Sequence, residues 1–343
     1  MGSSTLPTGF DMGSAAGISS TLLAAMVALV ELTADLTSSA QRGSGGATGL
    51  VGRRMETFDR GSLVELLERA QNADGGWGYY FGKASRLEPT CWAALALTAN
   101  SRGRAVAALT RWPSRDGVLL ERSGGEANYA FHGLALIALM ALGEAHETGN
   151  DGLAAALQRV KGIALKDSAM NRQDNSLQGW SWLADTFSWV EPTAVCLLAL
   201  KQWRRRAVRA VDPSRIDDAE RLLLDRVRRG GGWNYGNSNM LGAELHAYVP
   251  TTALALLAMQ DRRDHPVIIE SLGWLEQHAT SETSGLSLSL ACVALRAYGK
   301  ATTAVQSALL KQLAGTSAFG QLSTLAIAHC ALDEHHGIAA LAL

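Results

Sequence analysis

The sequence predicts an all-α protein, an α6/α6 toroid of alternating inner and outer helices, and three observations predict it. Segments that are apolar almost all round alternate with amphipathic ones, six of each. One loop-and-helix unit recurs three times with its parts in the same order. No segment keeps a period of two long enough to build a sheet. An even set of helical hairpins can close into a ring, the apolar helices lining a central funnel and the amphipathic ones forming the outer wall. The composition supplies the core: of 343 residues, 47% are hydrophobic and 18% charged, against about 25% charged in an average domain.

The first fifty residues read differently from the rest. An apolar stretch, Leu22–Val30, lies in a helix-like run from Ser19 to Leu36, and Ser38–Gly49 is a Gly/Ser-rich linker. No Lys or Arg precedes the stretch, so the basic start of a secretory signal is missing. Glu31 and Asp35 cut it short of the roughly 20 residues of a membrane span. The expectation is an appended helix and linker over 1–50, one barrel over 51–343, no transmembrane segment and a cytoplasmic location. A net charge of -1 argues against a nucleic-acid partner, because such proteins carry a basic excess.

The repeats justify the inner helices. Around Trp77 the chain reads DGGWGYYFGKASRLEPTCWAALAL, and around Trp180 it reads LQGWSWLADTFSWVEPTAVCLLAL. Trp77 to Glu88 is 11 residues, and so is Trp180 to Glu191. The third copy, GGGWNYGNSNMLGAELHAYVPTTALALLAM, aligned on Pro-Thr, has a gap longer by 5, with Val249 in place of the Glu. Pro89, Pro192 and Pro250 are read as first helical residues, which makes Glu88 and Glu191 the caps before them. The inner helices follow: Thr90–Thr98, Thr193–Leu200 and Thr251–Met259, with Tyr129–Leu142, Ser287–Tyr298 and Gln321–Leu332 of the same texture.

Stripes justify the outer helices. Ser62–Ala70 starts with a capping box (Ser62, Glu65) and buries Leu63, Leu66, Leu67 and Ala70 on one face. Ser214–Val227 does the same with Ile216, Ala219, Leu223 and Val227. Ala105–Trp112, Gly152–Leu165, Pro266–His278 and Thr302–Leu313 complete the set. Cys91, Cys196, Cys292 and Cys330 all fall in apolar runs and never in a CxxC pair, which reads as buried free thiols. The best metal cluster, His329-Cys330 with His335 and His336, sits at a helix end, and neither a metal nor a cofactor is expected.

Leu67-x3-Gln71-x3-Gly75-x-Trp77 resembles the QW repeat of squalene–hopene and oxidosqualene cyclases, and the Trp180 and Trp233 copies keep its Gly-Trp core without the upstream Gln. The stretch from about 55 to 335 is similar to the terpenoid cyclase/protein prenyltransferase toroid. The resemblance implies an isoprenoid-handling enzyme that takes a hydrophobic small molecule into the funnel. The cyclase acid segment Asp-x-Asp-Asp-Thr-Ala is absent, but Trp189-Val190-Glu191-Pro192-Thr193-Ala194 laid on it puts Glu191 at the acid position. The prenyltransferase zinc site needs Asp-x-Cys, which does not occur.

Glu191, with Glu88 beside it, is therefore the candidate acid, against the plainer role of capping a helix. The candidate substrate contacts are Trp92, Tyr129, Trp182, Trp189 and Tyr248, since aromatic faces stabilise carbocations. His132 is either a core histidine or a contact. His246, with Lys83 and Arg86, is the nearest partner for a diphosphate. Trp77, Trp180 and Trp233 read as structural. Two rival functions stay open: a barrel kept as a binding scaffold, and a carbohydrate-active barrel with Glu88 and Glu191 as its carboxylate pair.

Overall fold

The computed structural model describes residues 60–97, 100–143, 147–166, 173–206, 211–237, 239–240, 243–315, 321–333 and 339–343. The chain divides into two compact units, Met1–Met55 and Glu56–Leu343. The first, with the expected helix and linker over 1–50, lies outside the described residues.

Twelve α-helices are present among the described residues. The outer ones are α1 (Arg60–Arg69), α3 (Asn100–Thr110), α5 (Glu147–Arg159), α7 (Pro213–Asp225), α9 (Pro266–His278) and α11 (Thr303–Gly315). The inner ones are α2 (Leu87–Ala96), α4 (Tyr129–Ala141), α6 (Val190–Arg206), α8 (Val249–Ala258), α10 (Gly285–Ala297) and α12 (Leu322–Leu332). Each inner helix packs on the next, and α12 packs back on α2, so the inner ring closes. Each inner helix also packs on the outer helix that follows it, and α12 packs on α1. The result is an all-α, α6/α6 toroid.

Small residues let the inner helices approach. A Cβ on Gly133 of α4 would lie 3.2 Å from the Cα of Cys196 on α6, so only glycine fits there without displacing backbone. Cys196 gives its thiol to the Tyr129 carbonyl at 3.2 Å, and all four cysteines are free and buried. Among the described residues no helix is long and apolar enough to cross a membrane.

Three local expectations change. The inner helices α2 and α6 begin at Leu87 and Val190, so Pro89 and Pro192 occupy the third helical position rather than the first. That costs no hydrogen bond, because first-turn N–H groups have no intrahelical partner. Helix α5 ends at Arg159 instead of running to Leu165, and Ile163 pairs with Phe187 in an isolated bridge. Two short antiparallel ladders also appear: β1 (Ser114–Arg115) with β2 (Val118–Leu119), and β3 (Asn239–Met240) with β4 (Ala243–Glu244). The first turns on Asp116-Gly117, both at positive φ, which a two-residue hairpin requires.

Candidate functional site

The site is built on three nearly identical joints. Trp77, Trp180 and Trp233 are fully buried. Their indole N–H groups donate to the carbonyls of Leu67, Leu157 and Leu223 at 2.7, 2.9 and 2.6 Å, in the last turns of α1, α5 and α7. Carbonyls in a last helical turn lack the usual N–H four residues on, and the one at Leu67 takes the Ala70 N–H at 3.2 Å as well. The backbone N–H of each Trp donates to a threonine hydroxyl in the following inner helix: Thr90 and Thr193 at 3.0 Å, and Thr252 at 2.9 Å. The three tryptophans are structural, as their place in the repeat suggests.

The joints also set the register of the third copy. The N–H groups of Arg86, Trp189 and Tyr248 donate to the carbonyls of Trp77, Trp180 and Trp233. Thr90, Thr193 and Thr252 each lie four residues further on. Pro250, rather than Val249, therefore stands where the other copies carry Glu88 and Glu191. Aligning on Pro-Thr picks Thr251 and misplaces the copy by one residue. The inserted β3–β4 hairpin hides the correct register.

A circuit of backbone hydrogen bonds ties the rim together. The first N–H of α12 (Leu322) donates to the Tyr79 carbonyl at 2.7 Å. Those of α2 (Leu87), α4 (Tyr129) and α6 (Val190) donate to Glu121, Trp182 and Tyr235, each at 3.0 Å. In each case an inner helix is fastened to the loop of the next. Three of the acceptors, Tyr79, Trp182 and Tyr235, stand two residues past a repeat tryptophan, so the repeat places an aromatic at the rim each time. Tyr79 and Tyr235 were not picked out as contacts, although that regular spacing marks them. Because these helix-start N–H groups are already used, they offer less to an anion than free helix ends would.

Glu88 and Glu191 are the second residues of α2 and α6, not caps. Arg86 is the residue before α2 and makes no side-chain cap bond. One stripe on each of four inner helices runs Glu88–Trp92–Leu95, Glu191–Val195, Pro250–Leu254 and Leu286–Leu290, exposed in part at its first residue and, except at Val195, buried at the next. Steps of three and four residues keep each stripe on one helix face, and in a closed ring walled by outer helices that face is the lumen. Exposure drops from 37% at Leu286 to 9% at Leu254 and 3% at Leu290. The expected funnel is therefore a shallow mouth, filled by side chains below its second turn.

Within this mouth the two carboxyls differ. Glu88 accepts a hydrogen bond from the Tyr79 hydroxyl at 2.7 Å and another from Trp92. Burial pushes Glu88 up to about 7, against those bonds, and the nearby Glu121 adds to the rise. Glu121 is itself paired with Arg86 at 3.2 Å. Glu191 accepts no hydrogen bond from any described residue. Burial, then the charge of Glu88, pushes it up to about 8. Both side chains keep some contact with solvent while protein surrounds them, as a concave mouth requires. A helix start lowers a carboxyl pKa chiefly when the carboxylate takes backbone N–H bonds. Neither glutamate does, so desolvation wins.

An aromatic arc flanks Glu191. Phe187 and Trp189 lie 4.6 Å apart between ring centres, Trp189 meets Tyr235 edge-on at 6.5 Å, and Tyr235 lies 5.5 Å from Tyr248. Tyr235 and Tyr248 are 48% and 44% exposed, and burial, then the charge of Glu191, raises the Tyr235 phenol. At the adjoining α4–α6 seam Trp182 meets Phe131 edge-on at 6.3 Å. Trp92 is buried against Glu88, and Tyr129 is buried at the start of α4, its phenol pushed up by burial and by Asp185.

His132 is placed elsewhere. It is fully buried, accepting from the Leu119 N–H at 3.0 Å and reaching the Leu153 carbonyl at 3.0 Å. Burial pulls it down to about 4. Both ring nitrogens are used, so the core alternative for His132 is the one the geometry favours. His246 is exposed just past the β3–β4 hairpin, Lys83 is exposed, and Arg86 is engaged by Glu121. His329 and Cys330 are buried in α12, whereas His335 and His336 lie outside the described residues. Among the described residues no group of three His, Cys, Asp or Glu is placed to hold a metal ion.

No family model matches the chain, and no curated protein does. Among solved structures the chain is similar to the type II terpene cyclase MstE from Scytonema in its apo form. The identity is 18% and the TM-score 0.50, over 74% of this chain and 78% of that one. At that identity the likeness is one of fold, and the fold is terpenoid cyclase-like.

Proposed function

We propose that the chain is an isoprenoid-handling enzyme of the terpenoid cyclase kind, a single barrel over 51–343 whose mouth holds the apolar substrate, with Glu191 as its acid. One observation carries the reading: a carboxyl without a hydrogen-bond donor, pushed up to about 8, beside an arc of aromatic faces. At neutral pH Glu191 holds its proton. Donating it to an alkene carbon leaves a carboxylate on Glu191 and a cation on the substrate. The rings of Trp189, Tyr235 and Tyr248 offer that cation their negative faces. Glu88, held by Tyr79 and Trp92 and raised less than Glu191, is the readier of the two to ionise and supply negative charge in the mouth.

The filled lumen favours a second reading, a binding scaffold that keeps the barrel without turnover. Incubation of the purified protein with squalene and with prenyl diphosphates, followed by analysis of the extracted products, tests the proposal. Cyclised product that disappears in Glu191→Gln supports the enzyme. Absence of product, together with no protection from thermal unfolding, overturns it.

A further inference from the structure

Outside the mouth, a small half-open cleft of about 20 Å³, room for a group of about water size, lies against the outer flank of the aromatic arc. Trp189 belongs to both. Ile163 and Leu165, 45% and 40% exposed, stand with Phe187 among its lining residues. Its polar lining comes from Arg226, Asn237, Asn175, Gln173 and Ser188.

The charge of the cleft is already balanced. Arg226 is buried and ion-paired with Asp225, and it donates to the Asp174 carbonyl at 2.9 Å. Asp225 takes in addition the Asp174 N–H at 3.1 Å. One guanidinium thus faces two acids. Asn175 spends its amide on the Lys166 carbonyl at 3.1 Å, whereas the Asn237 side chain bonds to none of the described residues. Two other cations near the rim are also engaged: Arg86 by Glu121, and Arg228 by Glu244 at 3.1 Å. A diphosphate placed here would meet paired cations and, in the adjoining mouth, Glu88 and Glu191. An uncharged hydroxyl or carbonyl would meet an amide and apolar walls, the usual make-up of a small-molecule site.

We infer that this cleft binds the uncharged, hydrogen-bonding end of an amphiphilic substrate whose apolar chain lies in the mouth. The inference rests on the reading of the mouth as an isoprenoid site. It replaces His246, Lys83 and Arg86 as the head-group partners with Asn237 and the walls beside Trp189.

Three probes separate the possibilities: squalene has no head group, geranylgeraniol a neutral one, and geranylgeranyl diphosphate an anionic one. Binding is read by tryptophan fluorescence and by thermal unfolding, with the wild-type chain and with Leu165→Asp and Asn237→Ala. The unfolding curve of each variant alone verifies its fold. The alcohol is expected to bind at least tenfold more tightly than the diphosphate. Leu165→Asp is expected to weaken the alcohol at least tenfold and to leave squalene unchanged, with Asn237→Ala showing a smaller loss of the same kind. Tighter binding of the diphosphate, or an alcohol affinity within twofold of wild type in Leu165→Asp, overturns the inference. Turnover that ignores the cleft variants overturns the cleft and leaves the acid standing. Cleft-dependent binding without turnover does the reverse. Absence of binding by all three probes overturns both.

Discussion

The three Gly-Trp joints and the mouth they support are made by the same repeat, yet they obey different rules. In the joints the parts recur: indole to helix-end carbonyl, Trp N–H to threonine, next-helix N–H to Trp carbonyl. Each of these repeated donors finds its partner at the same step of the repeat. In the mouth, equivalent positions diverge to Glu88, Glu191 and Pro250, or to Arg86, Trp189 and Tyr248. There the half-buried Glu191 carboxyl takes a hydrogen bond from no described residue. The difference teaches that the repeat builds the scaffold with what it keeps, and places the candidate chemistry at what it varies.

Breaking a joint should have the largest effect. Trp180→Ala empties a fully buried site and frees the Leu157 carbonyl and the face of Arg215, which stacks 4.1 Å above the ring. A loss of about 3–5 kcal/mol is expected, read by urea unfolding. The milder Thr193→Val removes the acceptor of the buried Trp180 N–H and is expected to cost about 1–3 kcal/mol.

In the mouth the effects fall on turnover instead. Glu191→Gln should lower turnover by about 10²–10⁴-fold, the usual worth of general acid catalysis, while leaving the urea midpoint unchanged or higher. A fall in stability equal to that of Thr193→Val would put Glu191 with the scaffold and erase the contrast.

The same contrast appears in the pH dependence of stability. Both glutamates titrate higher in the folded chain, at about 7 and about 8, than their ordinary 4.5. Between those values the folded state holds protons that the unfolded state has lost. Their contribution is therefore present at pH 4.5 and lost as pH rises through 7 and 8. The melting temperature should fall over that window, and Glu191→Gln should flatten the fall. Thr193→Val should lower the whole curve without changing its slope.

The smallest expected effect is at Tyr79. Tyr79→Phe removes a bond that holds Glu88 down, so the Glu88 midpoint should move above about 7. Carboxyl infrared bands followed against pH would read the shift. An unchanged midpoint would show that Tyr79 serves only through its backbone carbonyl at the rim.

Most of the scaffold was legible because its rules are local. The alternation of apolar and amphipathic helices, the tryptophan-to-threonine spacing and the proline near each helix start all lie within a few turns of chain. The starts of α2 and α6 lie two residues ahead of the sequence expectation, because proline is tolerated at the third position as well as the first and rim hydrogen bonds to other loops extend both helices backwards. The third repeat was misplaced by one residue because its hairpin insertion removes the spacing that fixed the other two. His132 stayed ambiguous in the sequence since its partners, Leu119 and Leu153, belong to β2 and α5.

By itself the sequence determined the number, order and apolar faces of the helices, because periodicity and turn chemistry act between near neighbours. Only the tertiary structure decided which carboxyl keeps its proton. That depends on burial in a ring closed by α12 on α2, and on the field of Glu88 at a residue more than a hundred positions away. Solvation and charge act through space, and no local pattern encodes them.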